Sequence, residues 1–130
     1  EIVFSYLEHQ VPAPCEYIAL LALRRAPEWI RRCQDIVARN LAILQTWLAG
    51  QDGLSMVTPE GGTVALLQLP PGVDARALST RLREQFHTLT VPGDFFGAPG
   101  FLRISLGTVE ETIHQGLKQV SQALHQLRRP

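Results

Sequence analysis

The sequence predicts an α+β domain of two layers: a small, mostly antiparallel sheet covered by helices, preceded by a long helix that Pro27 either kinks or divides. Three observations point there. Helical and strand periodicities alternate along the chain, in the order helix, helix, two strands, helix, two strands, helix. The strand candidates are short, as suits a small sheet. Proline and glycine punctuate nearly every change of period. Helices that alternate with so few short strands bury their apolar stripes by covering one sheet.

The elements follow in order. Residues 15–25 favour helix through Ala, Leu and Arg, with Pro12 and Pro14 marking the start. A helix from Pro27 to about Ala49 is expected next, because Trp29, Ile30, Cys33, Ile36, Val37, Leu41, Leu44, Trp47 and Leu48 recur at helical spacing. Gly50 terminates it and Gln51-Asp52-Gly53 turns the chain. Leu54–Thr58 reads as a short strand, Pro59-Glu60-Gly61-Gly62 as a break, and Thr63–Leu69 as a β-branched, apolar strand. Asp74 caps a helix to about Phe86, with Val73 and Leu78 placed for a hydrophobic staple. Residues 88–91 read as a strand stopped by Pro92-Gly93. A loop through Gly100 follows, and then the strand Phe101–Leu106. Thr108 and Glu111 form a capping-box pattern ahead of a last helix, whose stripe is Ile113, Leu117, Val120, Leu124 and Leu127.

Composition bounds the function. The 130 residues suffice for one core, and 45% hydrophobic with 18% charged is ordinary for a globular chain. Twelve basic residues balance twelve acidic ones, which argues against nucleic acid or an anionic membrane surface as a partner. No apolar run is long enough to span a membrane, and no signal-peptide pattern opens the chain. Cys15 and Cys33 make no disulfide framework, so a reduced, cytoplasmic setting is expected. The four histidines lack metal-ligand spacing. The chain opens on Glu1 and its one methionine is Met56, so it is expected to be a piece of a longer protein.

Arg103 carries the most chemical weight. In Phe101–Leu106, Leu102, Ile104 and Leu106 alternate with Phe101, Arg103 and Ser105, so one set is core and Arg103 lies on the other face. A guanidinium held on a partly enclosed surface suits a carboxylate or phosphate gripped by two parallel hydrogen bonds. The same strand position also fits an arginine that faces water or pairs with an internal Glu. In the preceding loop, Gly93, Gly97 and Gly100 permit tight turns, and at least one of Phe95 and Phe96 is expected outside the core. Glu60-Gly61-Gly62-Thr63 is no phosphate loop, since no Gly-Lys-Ser/Thr ending follows and the glycines lead into a strand. Lys118, the only lysine, sits beside the last helix's apolar stripe and reads as solvated.

Three stretches in this order resemble the closing part of class I/II aminotransferases, the fold-type I pyridoxal-phosphate enzymes. They are Pro59-Glu60-Gly61-Gly62-Thr63-Val64, Val91-Pro92-Gly93-Asp94-Phe95-Phe96-Gly97 and Phe101-Leu102-Arg103-Ile104-Ser105. The resemblance implies that residues 1–26 are the tail of a large domain with a lead-in helix, and that residues 27–130 are the C-terminal small domain. It implies that Arg103 binds the α-carboxylate of the amino-acid substrate. It also implies that the Pro-rich stretch near Val11–Cys15 approaches the partner subunit's active site in a homodimer. Asp94 stands where the family often has Ser. The Schiff-base lysine, the phosphate cup and the pyridine-nitrogen aspartate of the family match nothing in this sequence, and Lys118 fits none of these positions. The implied parent is a pyridoxal 5'-phosphate-dependent aminotransferase that moves an amino group between an amino acid and a 2-oxo acid. This stretch would supply the carboxylate clamp and be inactive alone, with the remainder of the parent chain as its partner. A related fold-type I lyase or synthase, or a regulator with an aminotransferase-like domain, fits the same motifs. The rival readings are a freestanding α+β module that binds a small carboxylate, and a domain that only mediates dimerisation.

Overall fold

In the computed structural model, which describes residues 12–127, one continuous helix opens the fold: α1, Ala13–Leu48, with Pro27 inside it. Of the two readings of Pro27, the single long helix is the one that forms. Proline removes the N–H that would pair with the carbonyl four residues back, at Leu23. Leu23 is 71% exposed, so water can take over that carbonyl and the break is not enforced. Pro14 is tolerated because N–H groups in a first helical turn have no intrahelical partner. The Cys15 and Glu16 amides instead donate to the Pro12 carbonyl.

The chain divides into two units, Glu1–Cys33 and Gln34–Pro130. In the first, the apolar residues expected on a buried stripe are largely at the surface, with Trp29 and Ile30 about half exposed and Cys33 exposed. In the second, the stripe holds. Leu44 is fully buried, and Val37, Leu41, Ile43, Trp47 and Leu48 pack against the core.

The second unit contains a four-stranded antiparallel sheet in the order β1-β2-β4-β3. The strands are β1 (Ser55–Met56), β2 (Val64–Gln68), β3 (Val91–Pro92) and β4 (Phe101–Ser105). β2 and β4 pair over their whole lengths, from Val64 opposite Ser105 to Gln68 opposite Phe101. Two flanking bonds, Leu69 N–H to the Gly100 carbonyl and Leu106 N–H to the Thr63 carbonyl, extend the ladder. Ala65, Leu67, Leu102 and Ile104 face inward, as period-two alternation requires. They are covered by the end of α1, by α2 (Ala75–Phe86) through Leu78 and Leu82, and by α3 (Glu110–Leu127) through Ile113, Leu117, Val120, Ala123 and Leu124. This is the expected two-layer α+β arrangement.

Three local expectations are corrected. Residues 88–90 are not strand. Pairing begins at Val91 and includes Pro92, which is allowed because β3 is an edge strand and gives up no ladder bond for its missing N–H. The segment after it is a 3₁₀ turn, Gly93–Phe96, rather than irregular loop. Thr108 and Glu111 make no capping-box hydrogen bonds among the described residues. The Thr108 carbonyl instead accepts from the side-chain amide of Asn40. Asp74 does cap α2, its Oδ1 accepting from the Arg76 N–H at 2.7 Å and the Ala77 N–H at 3.1 Å.

Candidate functional site

The outward face of the sheet, left uncovered among the described residues, holds the candidate site. Arg103 sits in the middle of β4, directly opposite Leu66 of β2 on one side and Val91 of β3 on the other. Paired residues of neighbouring strands point to the same face. Arg103 is therefore the one charge in a cross-strand row of aliphatic side chains. Val64 and Leu66 on that face are 40% and 38% exposed, too apolar for a surface designed only to meet water.

The enclosure expected around Arg103 is partial. The side chain is exposed, and among the described residues it makes no ion pair. The internal glutamate is thereby discarded as its partner. Its contact is aromatic: the guanidinium lies over the Phe96 ring, 5.5 Å from the centroid. A guanidinium held over a ring by this cation–π contact still has N–H groups to offer a planar anion. The geometry suits two-pronged capture of a carboxylate.

Phe96 is delivered by the tight turn that follows β3. Its glycine, Gly93, is needed for space rather than for its backbone angle. A Cβ there would stand 2.0 Å from the Ala98 carbonyl oxygen. Gly97 closes the turn in the left-handed conformation, φ 71°, returning its N–H to the Gly93 carbonyl. Phe95 and Phe96 both lie outside the core. Asp94, in the same turn, reaches Arg76 on the first turn of α2, with Nε to Oδ1 at 3.5 Å. The Arg76 guanidinium also lies over Phe95, 5.1 Å from its centroid.

Other sequence candidates lie elsewhere. Lys118 is exposed on α3. The Glu60-Gly61-Gly62 turn is exposed, and Gly62 adopts φ 84°. Of the stretch Val11–Cys15, Val11 lies outside the described residues, and Ala13–Cys15 form the start of α1. A cleft of about 760 Å³, lined by His87, Thr88, Thr112 and Gln119 among others, opens beside α2 and α3, and Arg103 does not line it. No group of three potential metal ligands comes together among the described residues. None of their helices is long and apolar enough to cross a membrane. Sequence reasoning did not foresee the Arg76–Asp94 pair or the stacking of Phe96 on Arg103. Only the adjacency of two phenylalanines hinted at an exposed ring.

The candidate site is thus a guanidinium at the centre of the outward face of an α+β sheet. The family model for aminotransferase class I and II matches residues 6–120, and the chain belongs to that family. It is 29% identical over 119 residues to a probable aspartate/prephenate aminotransferase of Aquifex aeolicus, covering 86% of this chain and 30% of that protein. The structure is similar to that of a PLP-dependent aminotransferase from Streptococcus suis, with a TM-score of 0.80 and 26% identity over 88% of this chain and 30% of the other. It is also similar to the PLP-dependent cyclase OrfR, with a TM-score of 0.81 and 29% identity over 90% of this chain and 33% of the other. The chain thus spans about a third or less of the length of these relatives.

Proposed function

We propose that this chain is the C-terminal part of a pyridoxal-phosphate-dependent aminotransferase, which transfers an amino group between an amino acid and a 2-oxo acid, and that Arg103 binds the α-carboxylate both substrates carry. The observation that carries this reading is the Arg103 guanidinium, stacked on Phe96 and set between Leu66 and Val91 on the open face of the sheet. The apolar row around the charge is suited to being covered by the remainder of the parent chain. Covering it would strengthen the pairing with a carboxylate by excluding water. On this reading residues 1–26 are the tail of the large domain with the lead-in to α1, and residues 27–130 are the small domain.

The described residues do not themselves fit pyridoxal phosphate. The only lysine, Lys118, is exposed on α3 rather than enclosed beside Arg103. The cofactor's imine-forming lysine, phosphate contacts and pyridine-nitrogen partner therefore belong to the rest of the parent. This chain's own task is to hold and orient the carboxylate, and it is inactive alone. A cytoplasmic homodimer completes the proposal. Two free, exposed cysteines suit a reducing compartment. The likeness to OrfR favours one other reading, a related fold-type I enzyme of different reaction type, in which Arg103 keeps the same role.

The test is steady-state kinetics of the parent enzyme with Arg103→Ala and Arg103→Lys. Alanine is expected to lower kcat/KM for amino acids by about 30-fold or more, since removing one partner of a desolvated charge pair costs about 2–5 kcal/mol. Lysine restores charge but not the two-pronged geometry, and is expected to recover only part. An unchanged kcat/KM in the alanine variant would overturn the assignment. Product analysis separates amino transfer from a cyclase or lyase reaction.

A further inference from the structure

Among the described residues, Arg103 has one ring contact, and it comes from a residue whose own position is set at a distance. Phe96 ends the Gly93–Phe96 turn, and the start of that turn is anchored to α2 through Asp94 and Arg76. Arg76 in turn is fixed at its backbone, where its N–H donates to the Asp74 cap. Its guanidinium covers Phe95 while its Nε meets Asp94. Two arginine–phenylalanine stacks thus stand on consecutive rings of one short turn, with a single carboxylate tying the turn to the helix.

We propose that Asp94 and Arg76 are positioning residues: their ion pair fixes the turn that places Phe96 under the Arg103 guanidinium, and so sets how the α-carboxylate is held. The proposal rests on the carboxylate role of Arg103. Neither Asp94 nor Arg76 touches the substrate. When the pair is lost, Phe96 is no longer held beside the guanidinium, and Arg103 samples directions in which its paired N–H groups miss the carboxylate. The pair is partly exposed, so the effect is modest, about twofold to fivefold. It falls on substrates only through their carboxylate.

The experiment uses the parent enzyme with Asp94→Asn, Asp94→Glu and Arg103→Ala. Each variant is assayed with an α-amino acid and with the corresponding amine lacking the carboxylate. Asp94→Asn is expected to raise KM for the amino acid about twofold to fivefold with little change in kcat, and to leave the amine's kcat/KM unchanged. Asp94→Glu, which keeps the ion pair, is expected to recover most of the loss. An equal loss for both substrates would mark Asp94 as a general structural residue and overturn the proposal. An unchanged KM in Asp94→Asn, with Arg103→Ala strongly impaired, would overturn the positioning role while leaving Arg103 its own. If Arg103→Ala were also without effect, the carboxylate reading itself would fall, and this inference with it.

Discussion

The side-chain nitrogen of Asn40, on α1, lies 2.8 Å from the carbonyl oxygen of Leu106 and donates to it from within the core. Its second hydrogen goes to the Thr108 carbonyl at 2.7 Å. One amide thereby joins the end of the central strand to the segment that starts α3. Asn40 is 2% exposed and Leu106 fully buried, so the Leu106 carbonyl has no ready access to water if the amide is removed, while the Thr108 carbonyl is half-buried. Asn40→Ala is expected to destabilise the chain by about 2–3 kcal/mol, the sum of two lost bonds and the desolvated groups they leave. Urea unfolding checks it: the midpoint should fall while the slope stays constant.

The turn that carries Phe96 depends on the absence of one atom. At Gly93 an added Cβ would meet the Ala98 carbonyl oxygen at 2.0 Å and the Phe101 Cβ at 3.0 Å, both rigid neighbours. Gly93→Ala is expected to cost about 2 kcal/mol or more, because overpacking of this kind forces backbone to move. Gly61→Ala is the matched control. Nothing lies within 4 Å of its added Cβ, and its φ is not positive, so a change within about 0.5 kcal/mol is expected. Thermal melts of the two variants separate the cases.

The cap of α2 offers a third test. Asp74 Oδ1 accepts two backbone N–H bonds at the helix start, next to the arginine that reaches Asp94. Asp74→Ala is expected to lower stability by about 0.5–2 kcal/mol, and Asp74→Ser to restore most of it. The measurement is again the unfolding midpoint.

Legibility in the sequence tracked how local each determinant was. The Asp74 cap, the alternation in Phe101–Leu106 and the apolar stripe of α3 each depend on neighbours within a few residues, and each appears as expected. The outward placement of Arg103 could be read for the same reason. What escaped depends on partners far along the chain. Asn40 falls between Ile36 and Leu44 on a buried helical face, where a polar side chain is itself a signal, but its acceptors lie more than sixty residues away. The capping-box pattern at Thr108 and Glu111 did not form, and the Asn40 amide holds the Thr108 carbonyl instead. Pro27 reads as a kink or a break in a helix, and Pro92 as the end of a strand. The first lies in an exposed stretch of helix and the second on a sheet edge, the two settings where a missing N–H costs least. Asp94 showed itself only as a departure from the family pattern, since its partner Arg76 lies on another element.

The carboxylate role of Arg103 is tested most directly by equilibrium binding, apart from turnover. An amino acid methylated at its α-carbon has no α-hydrogen to lose, yet keeps the carboxylate. Calorimetric titration of such a compound into the parent enzyme gives the affinity of the clamp itself. The Arg103→Ala variant is expected to bind it about 30-fold or more weakly, with the corresponding amine lacking the carboxylate binding both proteins alike. Equal affinity of the α-methyl amino acid for the two proteins would contradict the account.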